Sequence, residues 1–215
     1  MKSVLLIGLG RFGYHTAVKL NELNQDVLAI DINEERVNAV LPYVTNAKIA
    51  DCTNEAVIKS LGVRNFDVCI VSIGNDFQSS LEITSLLKDY GAPLVVSRAA
   101  DGIQEKFLMR NGADQVVYPE RELANWTAVC FSSELIFDYI PVADGFSIYE
   151  IAVPREWVGK PPASIAVRQK YGMNIVALKS GDTVDGMIKA DHVFSADEKV
   201  LVIGKDADVK KLLHL

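Results

Sequence analysis

Six residues near the amino terminus, Gly8-Leu9-Gly10-Arg11-Phe12-Gly13, have the types and spacing to hold a phosphate group. They follow an apolar run, Val4 to Ile7, and open a segment with helical periodicity. Glycine at 8 permits a tight turn, glycine at 10 lets a pyrophosphate approach the backbone, and glycine at 13 lets a helix pack closely on a sheet. The phosphate oxygens would then meet free N–H groups at the positive end of the helix dipole. Asp31 closes the next apolar run, eighteen residues after Gly13. A carboxylate there can accept both ribose hydroxyls and would repel a 2′-phosphate, which disfavours NADP. Arg11 is a cation in a first helical turn, where it opposes the dipole. It is either a solvated surface side chain or a second contact to phosphate, and the latter favours ATP or ADP over NAD(H). Phe12 and Ile32, inside the turn and just after Asp31, complete this candidate nucleotide-binding set.

Further candidates follow later apolar runs, where ligands of open α/β sheets collect. Asp51-Cys52-Thr53 is placed to read an adenine edge, although Asp51 or Thr53 could equally cap the helix beginning near Asn54. Gly74-Asn75 and Arg98 belong to the same edge, and Arg98 either reaches phosphates or pairs with an acid. Glu120 follows the sixth run as a lone carboxylate. No tyrosine has a lysine four residues on, and the three histidines, His15, His192 and His214, lie far apart with no nucleophile motif beside them. No reaction is implied, so an enzyme is not expected. The rival from another class is a small NAD-dependent oxidoreductase, which would need an acid/base group that these residues do not assemble.

The elements that must position these residues alternate strand and helix through the first half. Strands are expected at 4–7, 27–30, 47–50, 68–72, 94–97 and 116–118, with helices near 11–23, 34–41, 54–61, 77–90 and 103–110. Near-continuous apolar strands separated by helices imply an α/β fold, a Rossmann-like doubly wound parallel sheet of six strands. Residues 120–140 read as a helix apolar around more of its circumference than one packing face needs, either a last helix on the sheet or one leaving the domain for a partner subunit. After residues 141–145 the pattern becomes a second, smaller α+β domain. It has strands at 146–153, 174–179 and 199–203, a helix near 163–171, a hairpin turn at Ser180-Gly181-Asp182 and a C-terminal helix.

Among 215 residues 49% are hydrophobic and 23% charged, an ordinary globular composition for one domain with a smaller one attached. The net charge of -6 argues against a nucleic-acid partner or direct binding to anionic membrane. No apolar run approaches the roughly 20 residues of a membrane span, and the opening residues do not have a signal peptide's layout. Cys52, Cys69 and Cys130 lack CxxC spacing, and Cys69 and Cys130 sit in apolar runs as expected buried thiols of a reducing cytoplasm.

Together, GLGRFG between strand and helix, Asp31, "ADCT" after the third strand, "NGADQVVYPE" around the sixth and "RQKYGMNIVAL" in the tail resemble the RCK-domain (KTN) regulatory subunits of Ktr/Trk-type potassium uptake systems. The resemblance covers nearly the whole chain, with an RCK N-terminal domain at 1–135 and an RCK C-terminal domain at 142–215. It implies a cytoplasmic protein at the inner face of the membrane, forming homodimers that assemble to an octameric ring beneath a membrane-embedded potassium transporter subunit. ATP, ADP or NAD(H) would bind in the first domain and gate potassium flow. Gly8, Gly10, Gly13 and Asp31 match the family's nucleotide motif, and Arg11 matches an arginine that reaches terminal phosphates across the dimer. Glu120 matches an acidic position that can hold a divalent cation, Mg or Ca. In many relatives the second domain resembles a receptor for cyclic di-AMP. Here Arg168 and Asn174 would contact phosphate or adenine edges, and Ile165 and Ile175 would pack on the bases, unless these are ordinary residues of a small dimerising domain. The stretch around Lys189-Ala190-Asp191-His192 lacks a proline expected in many relatives. A ring scaffold without nucleotide sensing is a further alternative.

Overall fold

In the computed structural model, which describes residues 1–215, Ser3–Ile7 forms β1, and its last four residues are buried. Alternation across a strand divides them between two layers. Leu5 and Ile7 join one core with Ile58, Ile83 and Leu87, while Val4 and Leu6 join another with Ala17, Val37 and Val40. A strand covered on both faces belongs inside a parallel α/β sheet.

The chain continues through α1 (Arg11–Glu22), β2 (Asp26–Asp31), α2 (Glu34–Val40), β3 (Asn46–Ile49), α3 (Glu55–Leu61) and β4 (Val68–Val71). Then follow α4 (Phe77–Asp89), β5 (Val95–Arg98), α5 (Gly102–Arg110), β6 (Gln115–Val117) and α6 (Pro119–Cys130). The strands run parallel in the order β3-β2-β1-β4-β5-β6, the doubly wound topology expected. The order reverses between β1 and β4, so the carboxyl ends of these two strands border the crevice. Four helix starts are fixed by short polar side chains: Asn33, Asn54, Asp76 and Asp101 accept backbone N–H bonds at α2, α3, α4 and α5.

A second compact unit, Arg121–Leu215, begins within α6. It contains β7 (Ile136–Ala143), β8 (Phe146–Ala152), α7 (Pro162–Ile165), α8 (Val167–Tyr171), β9 (Asn174–Ser180), β10 (Thr183–Asp185), β11 (Lys199–Lys205) and α9 (Asp206–Leu213). Its sheet is antiparallel with order β10-β9-β11-β8-β7, over a core that includes Trp157, Phe194, Met173 and Tyr149.

Two expectations are corrected here. The helix read over 120–140 ends at Cys130, and Ile136–Ala143 is a strand paired with β8, with Ile140 opposite Ile148. Apolar residues at 136, 137 and 140 fit either period. The Asp144-Gly145 hairpin, with Gly145 at φ +67°, decides for the strand. The chain divides into two compact units after Glu120, and the hairpin places residues 136–143 in the second sheet. The helix read over 163–171 is broken in two at Ala166, whose φ of +53° is left-handed.

Candidate functional site

The Gly-rich turn connects β1 to α1. Gly8 has φ +90°, and a Cβ there would lie 2.9 Å from Ile73 Cγ1. A Cβ on Gly13 would strike the Gly8 carbonyl oxygen and come within 2.6 Å of Ser72 Oγ, so helix and turn pack at backbone distance. Around Gly10, by contrast, nothing lies within 4 Å of an added Cβ. Two of the three glycines therefore serve the fold, and the middle one faces open space.

The start of α1 differs from those of α2 to α5. Gly10 is its N-cap and no side chain caps it; like α4, it has no acidic residue in its first turn. The four orphan N–H groups of a helix start need an acceptor, and an anion supplies one. Arg11 is exposed beside them, while Phe12 is half-buried.

Asp31 is only 6% exposed. Its Oδ2 accepts the Leu9 N–H at 2.7 Å and its Oδ1 accepts the Asn33 N–H at 2.8 Å, with Arg36 Nη1 at 3.6 Å from Oδ2. The carboxylate thus clasps the Gly-rich turn to the end of β2. Each oxygen retains a lone pair for a ribose hydroxyl. Neither this clasp nor the Ser72 hydroxyl, which donates to the Gly8 carbonyl, was read from spacing. A small polar residue ending β4 was the available signal. Ile32, 71% exposed, stands at the outer lip.

At the end of β3, Asp51 Oδ1 accepts both the Thr53 N–H (2.9 Å) and the Thr53 hydroxyl (2.7 Å), which together hold its carboxyl below the usual range. The cap of α3 is instead Asn54, whose Oδ1 accepts from the Ala56 N–H at 2.9 Å. Cys52 lies only 2% exposed within the core, and burial pushes its thiol up to about 12, so its side chain is removed from the crevice. Only its backbone remains for a ligand.

After β4 and β5 the edge is crossed by Arg98. Its guanidinium lies where a side chain on Gly74 would be, so Gly74 is needed for this approach. The guanidinium carbon is 5.9 Å from the Phe12 ring centroid, while Nη2 pairs with Glu120. Arg98 Nε is buried without an acceptor. Asn75 is exposed next to Gly74. Glu120, expected as a possible cation ligand, is thus engaged by an arginine, and no group of three or more His, Cys, Asp or Glu gathers to hold a metal ion.

In the second unit a groove of about 400 Å³ is lined by Ala163, Val167, Arg168, Asn174 and Ile175, among others. Arg168 Nε donates to Asn174 Oδ1 at 2.7 Å, which orients both polar groups. Three of the four residues singled out for this domain therefore line one groove. Ile165 does not: it is 8% exposed and belongs to the core, as does Val167, which also borders the groove.

Residues 4–119 match the family model of the TrkA-N domain. The chain is 37% identical to the Ktr system potassium uptake protein C of Bacillus subtilis (strain 168) over 217 residues, covering 99% of this chain and 98% of that protein. It is 35% identical to the Ktr system potassium uptake protein A of the same organism, covering 98% and 95%. Among solved structures, a GsuK channel bound to NAD superposes with a TM-score of 0.71 at 15% identity, covering all of this chain but only 39% of that one. At that identity the likeness is one of fold.

Proposed function

Because this chain belongs to the TrkA-N family of Ktr-type potassium uptake proteins, we propose that it is a regulatory subunit that binds an adenine nucleotide at the β1–α1 turn and thereby gates a membrane-embedded potassium transporter subunit. The observation that carries the nucleotide reading is the start of α1. Alone among the first five helices it has no side-chain cap, and the space beside Gly10 is open. Phosphate would accept the free N–H groups, Arg11 would neutralise further phosphate oxygens, and Asp31 would accept the ribose hydroxyls.

No helix is long and apolar enough to cross a membrane. Kinship with the Ktr uptake proteins supports a place for this chain at the cytoplasmic face of a separate, ion-conducting subunit. Homodimers closing into an octameric ring would give the nucleotide two assembly shapes to choose between. A ligand that binds both equally shifts nothing, so gating requires differential affinity. The role proposed is binding without turnover, a reading supported by the kinship with Ktr potassium uptake proteins.

Calorimetric titration with ATP, ADP and NADH tests the nucleotide reading, and Gly10→Ala supplies its control. The variant adds a methyl group into open space, so it should fold normally and bind about tenfold more weakly, a loss of roughly 1.4 kcal/mol. Equal affinity in both proteins would refute phosphate binding at this turn. The transport role is checked by potassium uptake in cells lacking their own Ktr regulatory subunit. Restored uptake is expected, and no response when the cognate membrane subunit is present contradicts it.

A second reading concerns the groove beside Arg168 and Asn174. Its paired guanidinium and amide with the apolar Ile175 alongside suit a cyclic dinucleotide such as cyclic di-AMP. Arg168→Ala should abolish cyclic di-AMP binding while leaving ATP binding unchanged, and retained binding would remove this reading.

A further inference from the structure

Arg98 and Glu120 meet at the edge of the crevice, and three features show that the position of Arg98 is built. Gly74 has no side chain where the guanidinium lies, Phe12 presents its ring 5.9 Å from the guanidinium carbon, and Nε is buried with no acceptor. Glu120 pairs with the guanidinium through Nη2. The Arg98 side chain is 16% exposed, whereas that of Glu120 is 57% exposed. The cation is therefore largely enclosed, and its anion is the solvent-exposed partner. A carboxylate and a phosphate compete for the same bidentate donor geometry of a guanidinium.

We propose that Glu120 is an internal stand-in for a ligand phosphate: it occupies Arg98 when the site is empty and must yield that arginine when a polyphosphate binds. The inference rests on the nucleotide reading above. Phe12 lies in the Gly-rich turn itself, so Arg98 adjoins the residues assigned to phosphate. Phosphate arriving there offers more charge than one carboxylate and also reaches the free N–H groups of α1, which Glu120 does not serve. Displacement leaves the Glu120 carboxylate free in the first turn of α6, where the helix dipole favours it. The exchange thus alters how the start of α6 is tethered each time the site fills. It also makes the apparent affinity lower than the phosphate contacts alone would give, as any self-occupied state does.

The test is ATP titration of the full chain in the presence of a chelator, for the unaltered protein, Glu120→Gln, Arg98→Gln and the double variant. Glu120→Gln keeps the shape and removes the competing charge, so ATP should bind about tenfold tighter. In the Arg98→Gln background the same change should alter affinity by less than about twofold, since there is no longer a cation to contest. Unchanged or weaker binding in Glu120→Gln overturns the proposal. A gain that persists without Arg98 also overturns it, because that gain would be simple charge repulsion. The Arg98 Nε–H resonance gives a second readout: it should move in the same direction on ATP addition and on Glu120→Gln, and opposite or absent movement contradicts the exchange. If the unaltered chain binds no ATP, the nucleotide reading and this proposal fall together. If it binds and the variants do not respond, only the proposal falls.

Discussion

Asp31 shows how one residue can serve fold and ligand at once. Its two oxygens already accept the Leu9 and Asn33 N–H groups, so an Asp31→Ala protein should lose both nucleotide affinity and several degrees of thermal stability. Asp31→Asn keeps one acceptor and should retain more stability than Asp31→Ala, which differential scanning calorimetry would resolve. The glycines separate the two roles more cleanly. Gly13→Ala forces a Cβ against the Gly8 carbonyl and should destabilise by roughly 1–3 kcal/mol, whereas Gly10→Ala should leave the unfolding midpoint unchanged. The thiols form a third case. Burial pushes Cys52 and Cys69 up to about 12, so both should resist a thiol reagent at pH 8 in the folded protein and react fully in denaturant. Rapid native labelling of Cys52 would place its side chain in the crevice after all. The spacing of Gly8, Gly10, Gly13 and Asp31 made the turn legible, since local geometry there dictates residue type. The burial of Cys52 and the identity of the acid that pairs with Arg98 depend on neighbours distant in sequence and were not.

At the level of elements, the first sheet was legible almost strand for strand, because buried parallel strands leave unbroken apolar runs and helices separate them. Boundaries differ by only a residue or two, as at β2, which begins at Asp26 and not at Val27. The stretch 136–143 was not legible as a strand. Its hydrophobicity fits a helix, and its true pairing is set by β8 across a two-residue loop. Gly145 holds φ +67° in that loop, where a side chain is strained. Gly145→Val should therefore cost roughly 1–2 kcal/mol in urea unfolding. No loss would mean that the hairpin is not present in solution. Ile165 illustrates the same limit on a smaller scale: a single left-handed residue, Ala166, breaks the helix, and Ile165 lies in the core outside the groove lining.

Across the whole molecule there are two compact units with separate cores, one parallel and one antiparallel. Trp157 is fully buried in the second of these. Trp157→Phe should lower stability by roughly 1–3 kcal/mol through lost packing, while ATP affinity at the first unit stays within about twofold. A large loss of ATP affinity would tie the two units together energetically. The second domain could be recognised in the sequence as a separate α+β unit, and α6 contributes residues to both compact units. The account as a whole stands on whether a folded sample of this chain binds an adenine nucleotide. Isothermal titration of the unaltered protein with ATP, ADP and NADH measures this directly. Saturable binding of at least one of them, weakened by Gly10→Ala without loss of thermal stability, is the predicted result. A folded protein that binds none of the three would contradict the account.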